Sequence, residues 1–180
     1  MKITNALKDL VRRLTGEIPT ATLVARGMKV GDGFNRQQGC YIDPTHCFLI
    51  EIGNNVTFSI RVTVMAHDAS TKKILGYTKI GRVTVGDNVF VGANTTILPG
   101  VHIGNNVVIG AGSVVTRSIP DNTVAAGNPA KIICSLEEYR NKWETSERVF
   151  DKSYRFSKTL TSEKIREMRE TTSDRISFID

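Results

Sequence analysis

From Val85 to Pro120 the apolar and polar positions repeat every six residues. The first position of each hexad is Val85, Val91, Ile97, Ile103, Ile109 and Val115, always a β-branched aliphatic. Glycine follows at 86, 92, 104 and 110, and the fourth position is Asn88, Asn94, Gly100, Asn106 or Gly112, with Ser118 the exception. A period of six is neither the 3.6 of an α-helix nor the alternation of an open strand. It predicts a parallel β-helix, in which short strands alternate with tight corners. The aliphatic row stacks inward, each buried Val or Ile contributing roughly 1.5–3 kcal/mol. Asn and Gly take the left-handed backbone of the corners. The intervening residues are expected to face outward or lie in the bends.

Weaker hexads begin near Val24, and the period returns at Ile52, Phe58 and Val64 after a four-residue excess at Phe48–Glu51. Val64 and Val85 are 21 residues apart, which six does not divide, so 70–84 is read as an excursion from the coil, with Ile74 and Tyr77 as its anchors. Such an interruption is where function is expected. Residues 2–15 have the pattern of an amphipathic helix, with Ile3, Leu7, Leu10, Val11 and Leu14 on one face and Gly16 as its stop. The preferred role is a cap on the open end of the column rather than a membrane-surface helix. Beyond Ile133 the repeat ends. Ser135 and Glu138 form a capping box for a helix to about Arg148, and a second helix is expected over about 162–170. The expected organisation is an N-terminal capping helix (1–16), a β-helix (17–133) and a C-terminal helical extension (134–180).

The formal charge of +6 lies wholly in residues 1–134, because 135–180 carry ten basic and ten acidic side chains. No basic run interleaved with aromatics suggests nucleic acid, and a few dispersed cations suit a polyanionic small molecule. No apolar run reaches membrane-spanning length. The first residues lack the apolar core of a secretory signal. Cys40, Cys47 and Cys134 are odd in number and have no metal-type spacing. These features predict a cytoplasmic protein with reduced thiols and no stable membrane insertion. No glycine-rich phosphate loop is present, which disfavours ATP and NAD.

The hexads, followed by Val124-Ala125-Ala126-Gly127-Asn128-Pro129-Ala130-Lys131, resemble the hexapeptide-repeat acyltransferase family, maltose, galactoside and polysaccharide O-acetyltransferases among its members. The resemblance covers about residues 24–133. It implies a left-handed parallel β-helix, a homotrimer, and acetyl-CoA as acyl donor in the groove between two columns. Matched by motif, the donor-binding positions are Ala93, Ala111, Thr116, Arg117 and Lys131. Cys134 stands where sugar acetyltransferases carry a further basic residue. For Arg117 and Lys131 the alternative is ordinary surface charge.

His67, on the last hexad before the excursion, is the candidate general base, since an imidazole can accept the proton of an attacking hydroxyl. The resemblance supports this role; the alternative is a corner residue in left-handed conformation. Asp68 is a candidate to orient His67 or bind substrate, although neighbours in extended chain point apart. His46 is the reserve base and lies near the expected acceptor pocket with Asp43, read as a partner for a sugar hydroxyl or simply a turn residue. His102 is read as an exposed side chain. The function implied is acetyl transfer to a hydroxyl of a sugar or polysaccharide precursor, with no metal. The alternatives are serine, an antibiotic or an amino sugar as acceptor, or a non-catalytic β-helix scaffold. A zinc enzyme built on three histidines from two chains is disfavoured, because only His46, His67 and His102 are available.

Overall fold

Val, Ile and Thr are stiff at χ1 and suit a pleated, half-buried surface. In the computed structural model, which describes Leu14 and residues 16–144, 149–155, 160–174 and 176–179, they form strands of two or three residues separated by corners. The first coil contains β1 (Lys29–Val30), β2 (Asn35–Arg36) and β3 (Tyr41–Ile42). The second contains β4 (Ile50–Ile52), β5 (Thr57–Phe58) and β6 (Thr63–Val64). A short hairpin, β7 (His67–Asp68) with β8 (Lys79–Ile80), then leaves the column. The third coil is β9 (Val83–Val85), β10 (Phe90–Val91) and β11 (Thr96–Ile97). The fourth is β12 (His102–Ile103), β13 (Val108–Ile109) and β14 (Val114–Val115). Finally β15 (Thr123–Gly127) adds to the second face and β16 (Ala130–Ser135) turns back antiparallel along it.

The coils stack into three parallel faces. The first orders β1-β4-β9-β12, the second β2-β5-β10-β13-β15 with β16 at its edge, and the third β3-β6-β11-β14. The first-position row is buried, with Val91, Ile97, Ile103, Ile109 and Val115 fully so. The fifth position is buried as well: Val89, Thr95, Val101, Val107, Ser113 and Ile119 all point inward. This differs from the expectation that only one row per hexad faces the core. The left-handed corner residue reverses the chain, so the side chain after it returns to the interior. Asn88, Asn94, Asn106, Gly100 and Gly112 do have positive φ.

At the N-terminal end α1 (Thr20–Ala25) contributes the fully buried Leu23 to the core. Arg36 occupies an inward rung on β2, opposite Phe58. Its guanidinium donates to the carbonyls of Ile18 (2.9 Å) and Cys40 (2.5 Å), which makes an inward cation tolerable there. The helix expected over 2–15 lies outside the described residues, Leu14 apart.

One corner carries a ladder in which acid and amide alternate: Asp32, Asn54, Asp87, Asn105, Asp121. The backbone N–H of Asp87 donates to Asn105 Oδ1 (2.8 Å), and Asn105 donates through N (2.8 Å) and Nδ2 (3.3 Å) to the two carboxylate oxygens of Asp121. The alternation keeps carboxylates from meeting across one coil rise. Asn105→Asp should therefore place three carboxylates in succession and cost about 1 kcal/mol at neutral pH. Urea denaturation at neutral pH should show the loss, and the difference from wild type should shrink near pH 4 as the added carboxyl protonates.

Two departures from period six fix the position of the site. Phe90 and Val108 are direct partners 18 residues apart, the plain coil of three hexads. Tyr41 and Thr63 are 22 apart, four more, and Thr63 and Thr96 are 33 apart, fifteen more. The fifteen-residue surplus matches the length of the excursion read at 70–84. Both surpluses fall between the third face and the first, one coil above the other.

The chain divides into a unit ending at Glu137 and a second from Glu138 onward. In the second, Tyr139 and Trp143 meet edge to face at 6.2 Å along a helix described over Leu136–Glu144, and Trp143 meets Phe178 at 5.9 Å. The predicted continuation to Arg148 lies outside the described residues. The second predicted helix spans Ser162–Thr171, capped by Thr161 Oγ1, which accepts from the Lys164 N–H.

Candidate functional site

The edge between the third and first faces brings together residues that are scattered in the sequence. Ile42 pairs with Val64 across the coils, and the Asp43 N–H donates to the Val64 carbonyl (2.9 Å). Asp43 and His67 therefore leave adjacent coils at the same corner. His67 Nδ1–H donates to Asp43 Oδ2 at 2.5 Å. The carboxylate is fully buried and accepts four further hydrogen bonds: from Thr45 N (3.0 Å), Thr45 Oγ1 (2.7 Å), His46 N (3.2 Å) and Ala66 N (3.2 Å). Burial works to raise its pKa, but the hydrogen bonds from His67, Thr45 and His46 outweigh it and hold the group at about 2. Asp43 is thus ionised, enclosed and fully engaged. The expectation that it bonds a sugar hydroxyl is corrected: the buried carboxylate is turned toward His67 and the local backbone, and its oxygens accept from five protein donors. It orients an imidazole, leaving Nε2 of His67 with the free lone pair.

His67 itself is extended and lies in β7, not in a left-handed corner. About a quarter of its side chain is exposed. The His46 ring lies beside it, centroids 4.8 Å apart, and the exposed Phe48 ring continues the row at 5.9 Å from His46. Phe48 was not singled out by sequence, where it is only the first residue of the four-residue surplus.

Asp68 does not touch His67. Its side chain pairs with Lys79 (2.7 Å) and accepts from the Ser70 N–H (2.8 Å), and these two partners, Lys79 first, hold it well below the usual carboxylate range. It thereby pins the base of the excursion, where His67 pairs with Ile80 and Asp68 with Lys79. The excursion then makes a 3-10 turn and the one-turn α2 (Lys72–Leu75), closed by Gly76 in left-handed conformation. Ile74 and Tyr77, expected as anchors, are instead 81% and 79% exposed. The loop is held by its polar stem.

The five donor-binding candidates divide between two edges. Ala93 and Ala111 stack at the corner between the second and third faces, where Gly112 N donates to the Ala93 carbonyl (2.7 Å). Lys131, exposed on β16, pairs with Ala126 at the same corner. Thr116 and Arg117 are exposed at the other corner, following β14, on the edge that carries His67 two coils earlier. His102 faces outward on β12, its Nδ1 2.5 Å from Thr84 Oγ1, and takes no part in the cluster. Among the described residues no helix is long and apolar enough to cross a membrane.

Comparison with known proteins agrees with this architecture. The family described as the hexapeptide repeat of succinyl-transferase matches residues 82–117. Protein CapG of Staphylococcus aureus is 48% identical over 99 residues, 53% of this chain and 58% of CapG. The crystal structure of a maltose O-acetyltransferase from Clostridium difficile superposes with a TM-score of 0.53 at 42% identity, covering 61% of this chain and 59% of that one. A hexapeptide-repeat acetyltransferase from Vibrio cholerae, solved with acetyl coenzyme A, superposes at 0.56 and 26% identity over 62% of this chain and 61% of its own. The chain spans a little over half the length of CapG and of YvoF of Bacillus subtilis, which is 39% identical over 97 residues. The three-faced column is the left-handed parallel β-helix of these proteins.

Proposed function

From its likeness to hexapeptide-repeat acetyltransferases, we propose that the chain is an O-acetyltransferase moving an acetyl group from acetyl-CoA to a hydroxyl of a sugar or polysaccharide precursor. The observation that carries this reading is the buried, ionised Asp43 held against His67 Nδ1. Acyl transfer to an alcohol needs a base whose free nitrogen faces solvent while its other nitrogen is fixed. His67 Nδ1 is fixed by Asp43, and about a quarter of its side chain is exposed.

The residues fit an acyl-CoA donor. Alanine at 93 and 111 leaves the backbone at the corner accessible to amide groups, and Arg117 and Lys131 are exposed cations suited to phosphate. The donor supplies the acyl thioester. His67 Nε2 takes the acceptor's hydroxyl proton as the oxygen attacks, and Asp43 stabilises the imidazolium so formed. The proton is then delivered to the departing sulfur, which restores the neutral base. The reaction requires no metal. Because the donor positions lie on two edges of one column, we place the donor in a groove between two copies of a homotrimer, where the two edges face each other. His46 and Phe48, on the open side of His67, are assigned to the acceptor, and an exposed aromatic ring suits the apolar face of a sugar. The three cysteines are thiols and not disulfides, with Cys40 and Cys47 in the interior, which supports a reducing, cytoplasmic setting.

The test is release of free thiol from acetyl-CoA in the presence of a panel of sugars and glycans. Acceptor-dependent release with one product ester is expected. A trimeric chain that binds acetyl-CoA but turns over with no hydroxyl acceptor sinks the enzymatic reading in favour of a scaffold.

A further inference from the structure

Asp43, His46 and His67 offer one ligand atom each within 4.8 Å of one another. The dyad explains two of these residues. A second imidazole lies beside them, its Nδ1 3.8 Å from the same carboxylate oxygen and 2.9 Å from Thr45 Oγ1. We infer that the three side chains form a binding site for a zinc-class divalent cation, and that the bound metal silences His67 as a base.

Zinc takes imidazole nitrogen and carboxylate oxygen at about 2.0–2.2 Å, so tetrahedral ligand atoms stand roughly 3.3–3.6 Å apart. The present separations from Asp43 Oδ2, 2.5 Å to His67 Nδ1 and 3.8 Å to His46 Nδ1, bracket that range. The three ligand atoms all lie within 4.8 Å of one another, so side-chain rotations that close the widest pair by roughly 1.2–1.5 Å bring the set to ligand spacing. The side chains of His46 and His67 are 29% and 26% exposed, which leaves a path for the ion and room for water at the remaining position. The supporting contacts are also in place. Asp43 Oδ1 is held by Thr45 N, Thr45 Oγ1 and His46 N, as a ligating carboxylate needs. Two imidazoles and one carboxylate suit zinc, cobalt or nickel, and not calcium or magnesium.

The effect on the base follows from the tautomer. In the metal-free dyad the proton is on Nδ1 and the lone pair on Nε2. A metal on Nδ1 takes that nitrogen's lone pair, and the single proton of the neutral ring moves to Nε2. His67 then presents an N–H where it must accept a proton, so the acceptor hydroxyl is not activated. No redox change and no net proton is involved. The silencing part rests on His67 being the base; the binding part does not.

The experiment titrates Co²⁺ into the full-length protein, follows its visible d–d absorption, and displaces it with Zn²⁺. One saturable low-coordinate site is expected, weakened roughly tenfold or more in His46→Ala and unchanged in His102→Ala. Thermal melts of both variants check that the fold is intact. Zn²⁺ should lower the transferase rate with the midpoint at which it displaces cobalt. Absence of a saturable band, or a band of equal strength in His46→Ala, overturns the site. Full displacement of cobalt with an unaltered transferase rate overturns the silencing. A protein with no transferase rate under any condition defeats the proposed function instead, and the cobalt spectrum still decides this site.

Discussion

His67→Ala is expected to lower acetyl transfer by roughly 10²–10⁴-fold, in kcat rather than in the KM for acetyl-CoA. The ring is on an edge of the column and only partly covered, so its loss removes little buried apolar area, and the melting temperature should stay within a few degrees of wild type. Steady-state kinetics with the thiol-release assay reads the first quantity and a thermal melt the second. A variant with wild-type kcat would show that another group takes the proton, with His46, 4.8 Å away centre to centre, next in line.

Asp43→Asn is expected to reduce both stability and rate, in a way that separates the two roles of the carboxylate. Five donors converge on its two oxygens. An amide supplies one acceptor and introduces two N–H groups. With its nitrogen in place of Oδ1, both Thr45 N–H and His46 N–H lose their acceptor. With its nitrogen in place of Oδ2, only Ala66 N–H loses its acceptor, because His67 can shift its proton to Nε2 and accept instead. The second arrangement is less costly and inactivates the base. The expected loss is about 1–3 kcal/mol of stability, from the unsatisfied buried N–H, together with a rate decrease of the order of 10²–10⁴.

The pH dependence of stability tests the same residue. The folded pKa of about 2 lies below the ordinary 3.8, so the stabilising contribution is complete above pH 3.8 and is lost as pH falls toward 2. Its size is about 2 kcal/mol. Chemical denaturation of wild type between about pH 5 and pH 2 should show that decline, and Asp43→Asn should lack it.

Much of the scaffold was legible because the hexad is a local signal. The row from Val91 to Val115 is buried where the pattern put it, and Asn88, Asn94 and Asn106 turn left-handed at the expected corners. The length of the excursion came directly from an interval that six does not divide. The His67–Asp43 pairing was not legible in the same way. It depends on the 22-residue register between the first two coils. The sequence places the four-residue surplus at Phe48–Glu51, but which way Asp43 turns at that corner is set by the local turn and its donors, which the hexad pattern does not specify. Once that register is known, an acid at 43 falls one coil from 65–67. Asp68 looked the better partner only because it is adjacent in sequence, and extended chain sends it to Lys79. The antiparallel return of β16 was hidden for another reason: the end of a repeat marks where stacking stops and not how the last edge is covered.

The ladder hydrogen bonds resume without a shift after both the four-residue and the fifteen-residue surplus. Length is therefore tolerated at that edge without disturbance to the rungs on either side. The corner behaves as a socket: segments of different length and composition can be exchanged there while the alanine-lined edge keeps its spacing. Under the proposed assignment, a change of segment at that socket would alter the acceptor side and leave the Ala93–Ala111 edge as it is.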